Sequence, residues 1–264
     1  MGIENNDLTN TFVKNVRNKE KSIAIVGLGY VGLPLALTFA ENNFSVVGID
    51  IDLVKISKLN NKQSYLKHIN RSRIQKVIDS KKLIPTSDFS RVESCIAIIL
   101  CVPTPLNKNR EPDLCYIKTT LNSLKSFFKK GQLLSLESTT YPGTTEEVLM
   151  SQLISLGFEI GKDFFLVYSP EREDPGNKEF TTSSIPKVIG GITENCKEMG
   201  IELYSKIIQK LIPVSSTRAA ETTKLLENIH RAVNIGLVNE LKILSDKMDI
   251  DIYEIINAAA TKPF

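Results

Sequence analysis

Cysteine is scarce in this 264-residue sequence: Cys95, Cys101, Cys115 and Cys196 are the whole complement, and none forms a CxxC pair. That spacing excludes a zinc knuckle and supplies no disulfide framework, and no secretory signal precedes them. Reduced thiols in a cytoplasmic protein are therefore expected. Long apolar runs are also missing. The longest, from Cys95 to Val102, stops at Pro103. It falls far short of the roughly 20 residues of a membrane helix and reads as a buried strand. Charge of one sign is not in excess either. Thirty-three Lys and Arg against thirty Asp and Glu leave a net charge of +3, too balanced for the clustered basic surface of a non-specific nucleic-acid binder. Neither nucleic acid nor a membrane is an expected partner. Histidine is limited to His68 and His230. They lack metal-ligand spacing, so no metal site is expected and neither is given a role.

What remains is ordinary globular composition, 42% hydrophobic and 24% charged, which excludes a disordered chain. The length suits one large α/β domain, or one domain and part of a second. Residues 1–20 are Asn-rich and weakly patterned, and read as a flexible tail. From Lys21 a regular alternation begins. Apolar, β-branched runs at 22–26, 45–49, 95–102, 132–136, 164–168 and 187–189 read as buried parallel strands. Segments with helical periodicity lie between them at 33–42, 52–60, 116–128, 144–156 and 193–209. Thr144 with Glu147 has the spacing of a capping box. Such alternation argues for an α/β fold over residues 21–214, a doubly wound parallel (Rossmann-like) sheet with helices on both faces. After Val214 the texture changes. Residues 218 to about 247 contain no Pro and one Gly, and predict a single helix of roughly 45 Å. A short helix follows at 252–260. The region 215–264 reads as the start of a second, helical domain or as a dimer interface.

The first strand runs into Gly27-Leu28-Gly29-Tyr30-Val31-Gly32. Alone, GxGxxG is weak evidence; between a strand and a helix it is informative. Gly27 permits the tight turn, Gly29 admits a pyrophosphate to the backbone, and Gly32 lets helix and strand pack closely. The second strand ends at Asp50, eighteen residues past Gly32. An acid there accepts hydrogen bonds from an adenosine ribose and repels a 2′-phosphate, which favours NAD over NADP. A glycine-rich β-turn with an incidental Asp is the alternative. Three further strand ends carry hydroxyl or carboxyl groups: Val102-Pro103-Thr104-Pro105, Glu137-Ser138-Thr139-Thr140 and Tyr168-Ser169-Pro170-Glu171-Arg172. Ligands of such sheets lie beyond the carboxyl ends of the strands, although any one of these segments alone is equally a strand-terminating turn.

On the long helix Glu221, Lys224, Asn228 and Arg231 recur at intervals of three, four and three, so they share a face. Leu225, Ile229, Val233, Leu237 and Leu241 line the opposite one. A solvated face explains the polar stripe equally well, yet Asn is a poor helix former. A Lys and an Asn one turn apart can hold a hydroxyl or its developing alkoxide.

These residues together resemble the UDP-glucose/GDP-mannose dehydrogenases. The matching segments are Val26 to Pro34, Cys101 to Leu106 with Pro112-Asp113, Glu137-Ser138-Thr139 with Pro142-Gly143-Thr144-Thr145, Ser169 to Arg172, and Ala220 to Asn228. They extend over residues 21–264. The form Ser169-Pro170-Glu171-Arg172-Glu173-Asp174-Pro175-Gly176-Asn177, with Asn228 to Ile235 and Asn239-Glu240, resembles the branch acting on UDP-N-acetylglucosamine or UDP-N-acetylmannosamine. The resemblance implies NAD-dependent oxidation of the C6 alcohol of a UDP-sugar to a carboxylate by two hydride transfers, feeding surface polysaccharide synthesis. It implies that Gly27, Leu28, Gly29, Tyr30, Val31, Gly32, Asp50, Lys55, Val102, Pro103, Thr104, Pro105, Ser138 and Thr139 hold NAD. Leu106 and Thr140 match cofactor positions as well. Glu171, Lys224 and Asn228 take catalytic roles: Glu171 activates water, while Lys224 and Asn228 polarise the C6 oxygen. Glu171, Arg172, Lys224, Asn228 and Arg231 contact the sugar nucleotide.

The same resemblance implies a thioester-forming cysteine in a Gly-Gly-x-Cys segment downstream of Lys262-Pro263-Phe264. None of the four cysteines here has such a neighbourhood. The expectation is a cofactor-binding half without the UDP-binding C-terminal domain, inactive alone in the full reaction. A truncated gene, a separately encoded C-terminal half as partner, or a deliberately shortened chain each account for it. A homodimer through the long helix is also expected. Two other readings stand beside these: a β-hydroxyacid dehydrogenase-like enzyme, and a non-catalytic NAD-binding or oligomerising remnant.

Overall fold

The computed structural model describes residues 7–172 and 183–262. Among the described residues eight strands build one sheet: β1 (Ser22–Val26), β2 (Val46–Ile49), β3 (Leu83–Thr86), β4 (Cys95–Leu100), β5 (Leu133–Leu136), β6 (Phe165–Tyr168), β7 (Lys187–Gly191) and β8 (Leu211–Pro213). Their order is β3-β2-β1-β4-β5-β6-β7-β8. β1 after Ser22 and all of β4 are apolar, as strands inside a sheet covered by helices on both faces must be. Side-chain alternation splits the core in two. Ile23, Ile25 and Ile99 face one layer with Phe39 and Tyr204, whereas Ala24, Val26, Ile98 and Leu100 face another with Ile117, Leu121 and Phe164.

The helices are α1 (Asp7–Asn18), α2 (Gly32–Glu41), α3 (Leu53–Asn60), α4 (Arg71–Asp79), α5 (Cys115–Leu124), α6 (Ser151–Ser155), α7 (Glu194–Tyr204), α8 (Thr217–Lys247) and α9 (Ile252–Ala259). Asp52, Asn70, Thr193 and Asp251 cap α3, α4, α7 and α9 by accepting from a first-turn amide. Among the described residues no helix is long and apolar enough to cross a membrane.

Several expectations are corrected. The amino-terminal segment is not a flexible tail over residues 7–18. It forms α1, which buries Phe12 and Val16; Phe12 meets Phe165 edge to face at 5.7 Å between centroids. The run at 187–189 is not one more parallel strand. β7 pairs antiparallel with β6, Tyr168 opposite Gly190, and parallel only with β8. Ser169, just past β6, donates to the Val188 carbonyl at 2.8 Å. The chain thus re-enters the sheet at the end where β6 leaves it, and a strand starting there runs back along β6. Thr144 and Glu147 form no capping box: Thr144 is itself helical and donates to the Tyr141 carbonyl at 2.8 Å. A remote carboxylate, Glu221, receives the free amides of that turn instead. β3, β8 and α4 had no counterpart in the strand and helix pattern.

The chain divides into two compact units, Met1–Thr222 and Thr223–Phe264. Thr217, Ala220 and Glu221, which open α8 just past the expected boundary at 214/215, are fully buried in the first unit. The second unit consists of the rest of α8 followed by α9, with Ser245 and Ile252 buried.

Candidate functional site

At the carboxyl ends of β1, β2, β4, β5 and β6 lies one cavity of about 590 Å³. Its centre is the turn from β1 into α2. Gly27 has φ +94°, and a Cβ there would meet the Cys101 carbonyl oxygen at 2.7 Å; only glycine fits both demands. A Cβ on Gly32 would overlap the Gly27 carbonyl, so α2 packs on the turn without a side chain between them. Gly29 differs. Nothing lies within 4 Å of a Cβ placed there, because that position opens onto the cavity it lines.

Asp50, at the end of β2, is 6% exposed. Its Oδ2 accepts from the Leu28 amide at 2.8 Å and from Lys55 Nζ at 3.0 Å, and its Oδ1 accepts from the Asp52 amide at 2.9 Å. A carboxylate offers about four acceptor positions, so one remains for a ligand hydroxyl. The Leu28 carbonyl accepts from Tyr65 Oη at 2.6 Å. Burial, with Asp50 and Asp52 adding, pushes the Tyr65 phenol up, so it stays a neutral donor. The Gly turn is therefore pinned on both sides of Leu28.

The opposite wall comes from the ends of β4, β5 and β6. Thr104 Oγ1 donates to the Thr139 carbonyl and Ser138 Oγ to the Val102 carbonyl, both at 2.6 Å. These two bonds stitch neighbouring strand ends into one rim. Tyr30, Val31, Lys55, Val102, Pro103, Thr104, Ser138, Thr139 and Glu171 all line the cavity. Leu28 and Gly32 are buried in the turn behind it, and exposed Pro105 accepts from the Asp113 amide at 2.7 Å. Arg172 is turned to β7, its Nη1 donating to the Pro186 carbonyl at 2.6 Å. Glu173 to Asn177 lie outside the described residues.

Lys224 and Asn228 are half-buried, one turn apart on α8 in the second unit, and Arg231 is exposed there. Glu221 leaves that expected polar stripe. It is fully buried in the first unit, where it accepts from the Gly143 amide at 2.5 Å, the Thr145 amide at 2.9 Å and Thr145 Oγ1 at 2.7 Å. Burial raises its carboxyl above the ordinary 4.5, against those hydrogen bonds. Burial also pushes the Cys95 thiol up to about 12 and raises Cys196, while an Asp113 hydrogen bond raises Cys115. None of these three is an activated thiolate. Ile51, Phe89, Tyr116, Thr120 and Glu137 also line the cavity. Only Ile51, next to Asp50, and Glu137, next to Ser138, had a local signal in the sequence. His68 stacks on Tyr30 at 5.7 Å between centroids.

A glycine turn pinned by an acid at the tip of the second strand is a dinucleotide cradle. Family models give the same answer independently: the NAD binding domain of the UDP-glucose/GDP-mannose dehydrogenase family matches residues 21–208, and its central domain matches residues 218–264. The chain belongs to the UDP-glucose/GDP-mannose dehydrogenase family. NAD is the cofactor of its first domain. Protein CapL of Staphylococcus aureus is 38% identical over 92% of the chain and 56% of its own length. A UDP-N-acetyl-D-glucosamine 6-dehydrogenase of Pseudomonas aeruginosa is likewise 38% identical, over 92% of the chain and 57% of its length. The solved UDP-D-ManNAc dehydrogenase of Pyrococcus horikoshii superposes with a TM-score of 0.84 at 34% identity, covering 92% of this chain and 58% of that one. The chain thus spans somewhat more than half the length of these family members.

Proposed function

We propose that the chain is the NAD-binding and first substrate-contacting part of a UDP-N-acetylhexosamine 6-dehydrogenase, converting a C6 alcohol to a carboxylate for surface polysaccharide synthesis. One observation carries this: the glycine turn, Asp50 and Glu171 border a single cavity. A cofactor cradle and a carboxylate able to manage a proton or a water thus share one space.

Bound NAD would supply the hydride acceptor. Gly27, Gly29 and the amino end of α2 would receive the pyrophosphate, and Asp50 with Lys55 the adenosine ribose. With the adenosine on that side of the turn, Val102, Thr104, Ser138, Thr139 and Glu171, which line the rest of the cavity, would hold the nicotinamide half. Glu171 would accept a proton from water attacking the reacting carbon. Lys224 and Asn228 would hold the C6 oxygen as charge builds on it, and Arg172 and Arg231 would contact the sugar nucleotide. The relatives' names support this choice of substrate class. Thermal unfolding with NAD⁺ plus UDP-N-acetylglucosamine, UDP-N-acetylmannosamine or small β-hydroxy acids tests it. Stabilisation by a UDP-N-acetylhexosamine is expected. Stabilisation by the hydroxy acids alone would overturn the proposed substrate class.

Leu226 and Val233 on α8 are 65% and 62% exposed, an apolar face suited to pairing with a second copy. Light scattering reporting a dimer would support that pairing, and a monomer would remove it.

A further inference from the structure

Beneath the turn that carries Glu171 lies a buried ion pair that the proposed chemistry does not use. Lys187 Nζ donates to Glu137 Oε2 at 2.8 Å, with side-chain exposures of 9% and 1%. Tyr204 Oη donates to Glu137 Oε1 at 2.6 Å, and Ser135 Oγ lies 2.8 Å from Tyr204 Oη. Glu137 is therefore held from β7 and from α7, and it lines the large cavity. Burying two charges is seldom favourable for stability alone, so a pair at a cavity floor invites another explanation.

The pair is connected to the turn above it. Lys187 Nζ reaches the Ser169 and Pro170 carbonyls, both at 3.4 Å, and the Glu171 amide faces the Glu137 carbonyl at 3.4 Å. Arg172 is tied to the Pro186 carbonyl, next to Lys187. A small cavity of about 20 Å³ borders Pro170, Glu171, Arg172, Glu137 and Lys187, and these polar links tie the turn across it.

We propose that Lys187, paired with Glu137, is a positioning residue that fixes the Pro170–Glu171–Arg172 turn over the nicotinamide half of the cofactor cavity. This rests on the placement of NAD proposed above. Lys187 touches no reacting atom; it acts through Glu137 and the two carbonyls.

The test compares Lys187→Met with the double variant Lys187→Met, Glu137→Gln, using ADP-ribose and NADH as ligands in calorimetry. The single variant leaves a buried carboxylate unpaired and is expected to melt lower. The double variant removes that charge while Gln still accepts from Tyr204, so it is expected to regain most of the lost stability. Both variants are expected to bind NADH about fivefold or more weakly while ADP-ribose affinity stays within about twofold. NADH fluorescence is expected to move toward that of the free cofactor. A merely structural role would not separate the two ligands. Loss of both affinities by one factor, loss of neither, or a double variant that does not fold would each overturn the proposal. An unaltered chain that binds neither ligand would instead overturn the cofactor placement, and this inference with it.

Discussion

The Asp50 carboxylate accepts the Leu28 amide at 2.8 Å, so the acid that would read the ribose also holds the glycine turn in shape. Lys55 approaches the same oxygen, which offsets the charge of Asp50. With NAD placed as proposed, cofactor choice would rest on a balanced pair rather than a lone acid.

Asp50→Asn leaves the Lys55 ammonium without its counter-charge. NAD⁺ affinity is expected to fall about tenfold to a hundredfold, in line with about 1.5–3 kcal/mol for a hydrogen bond to a charged group. NADP⁺ affinity is expected to fall less or to rise, because its 2′-phosphate gains a cation. Titrations with both cofactors check this; an unchanged ratio would contradict it.

Two glycines of the turn are expected to behave oppositely. A methyl at Gly32 meets the Gly27 carbonyl, so Gly32→Ala should cost about 1–3 kcal/mol or more in urea unfolding. A methyl at Gly29 meets nothing. Gly29→Ala should keep its stability within about 0.5 kcal/mol while losing NAD⁺ affinity, because the methyl fills cavity space.

Glu221 makes stability depend on pH. Its folded carboxyl titrates above the ordinary 4.5, so the folded state holds a proton that the unfolded state has released. Stability from this group is therefore greatest at and below that ordinary value, and declines as pH rises through the raised one. Glu221→Gln should abolish this slope in urea unfolding measured from acid to neutral pH. It should also lower stability at neutral pH, since the Gln amide opposes one of two backbone donors, at about 1–3 kcal/mol. An unaltered slope would contradict the assignment.

The amino-terminal helix is expected to matter for the sheet. Phe12→Ala should destabilise by about 3–5 kcal/mol, because Phe12 is fully buried against Phe165. A loss below about 0.5 kcal/mol in chemical denaturation would restore the flexible-tail reading.

The central strands were legible because burial on both faces forces unbroken apolar runs such as Ile23–Val26 and Cys95–Leu100. The glycine turn was legible because three local constraints fall within six residues. Edge strands were not: β3 and β8 each contain a proline, Pro85 and Pro213, which argues against a strand unless its edge position is known. α1 was hidden because a mostly polar segment needs only Phe12 and Val16 to dock. Contacts of long sequence separation were invisible. Glu221 and Gly143 lie 78 positions apart, and Glu137 and Lys187 lie 50 apart, so no local pattern announces either. Phe89 and Tyr116 join the cavity wall through the fold alone.

Calorimetric titration of the folded chain with NAD⁺ and NADH tests the central claim most directly. One cofactor per chain is expected, with saturable heat and an affinity of about 1 mM or tighter, abolished by Gly29→Ala in protein of unchanged circular dichroism. Folded protein that shows no heat of association with either cofactor would contradict the account.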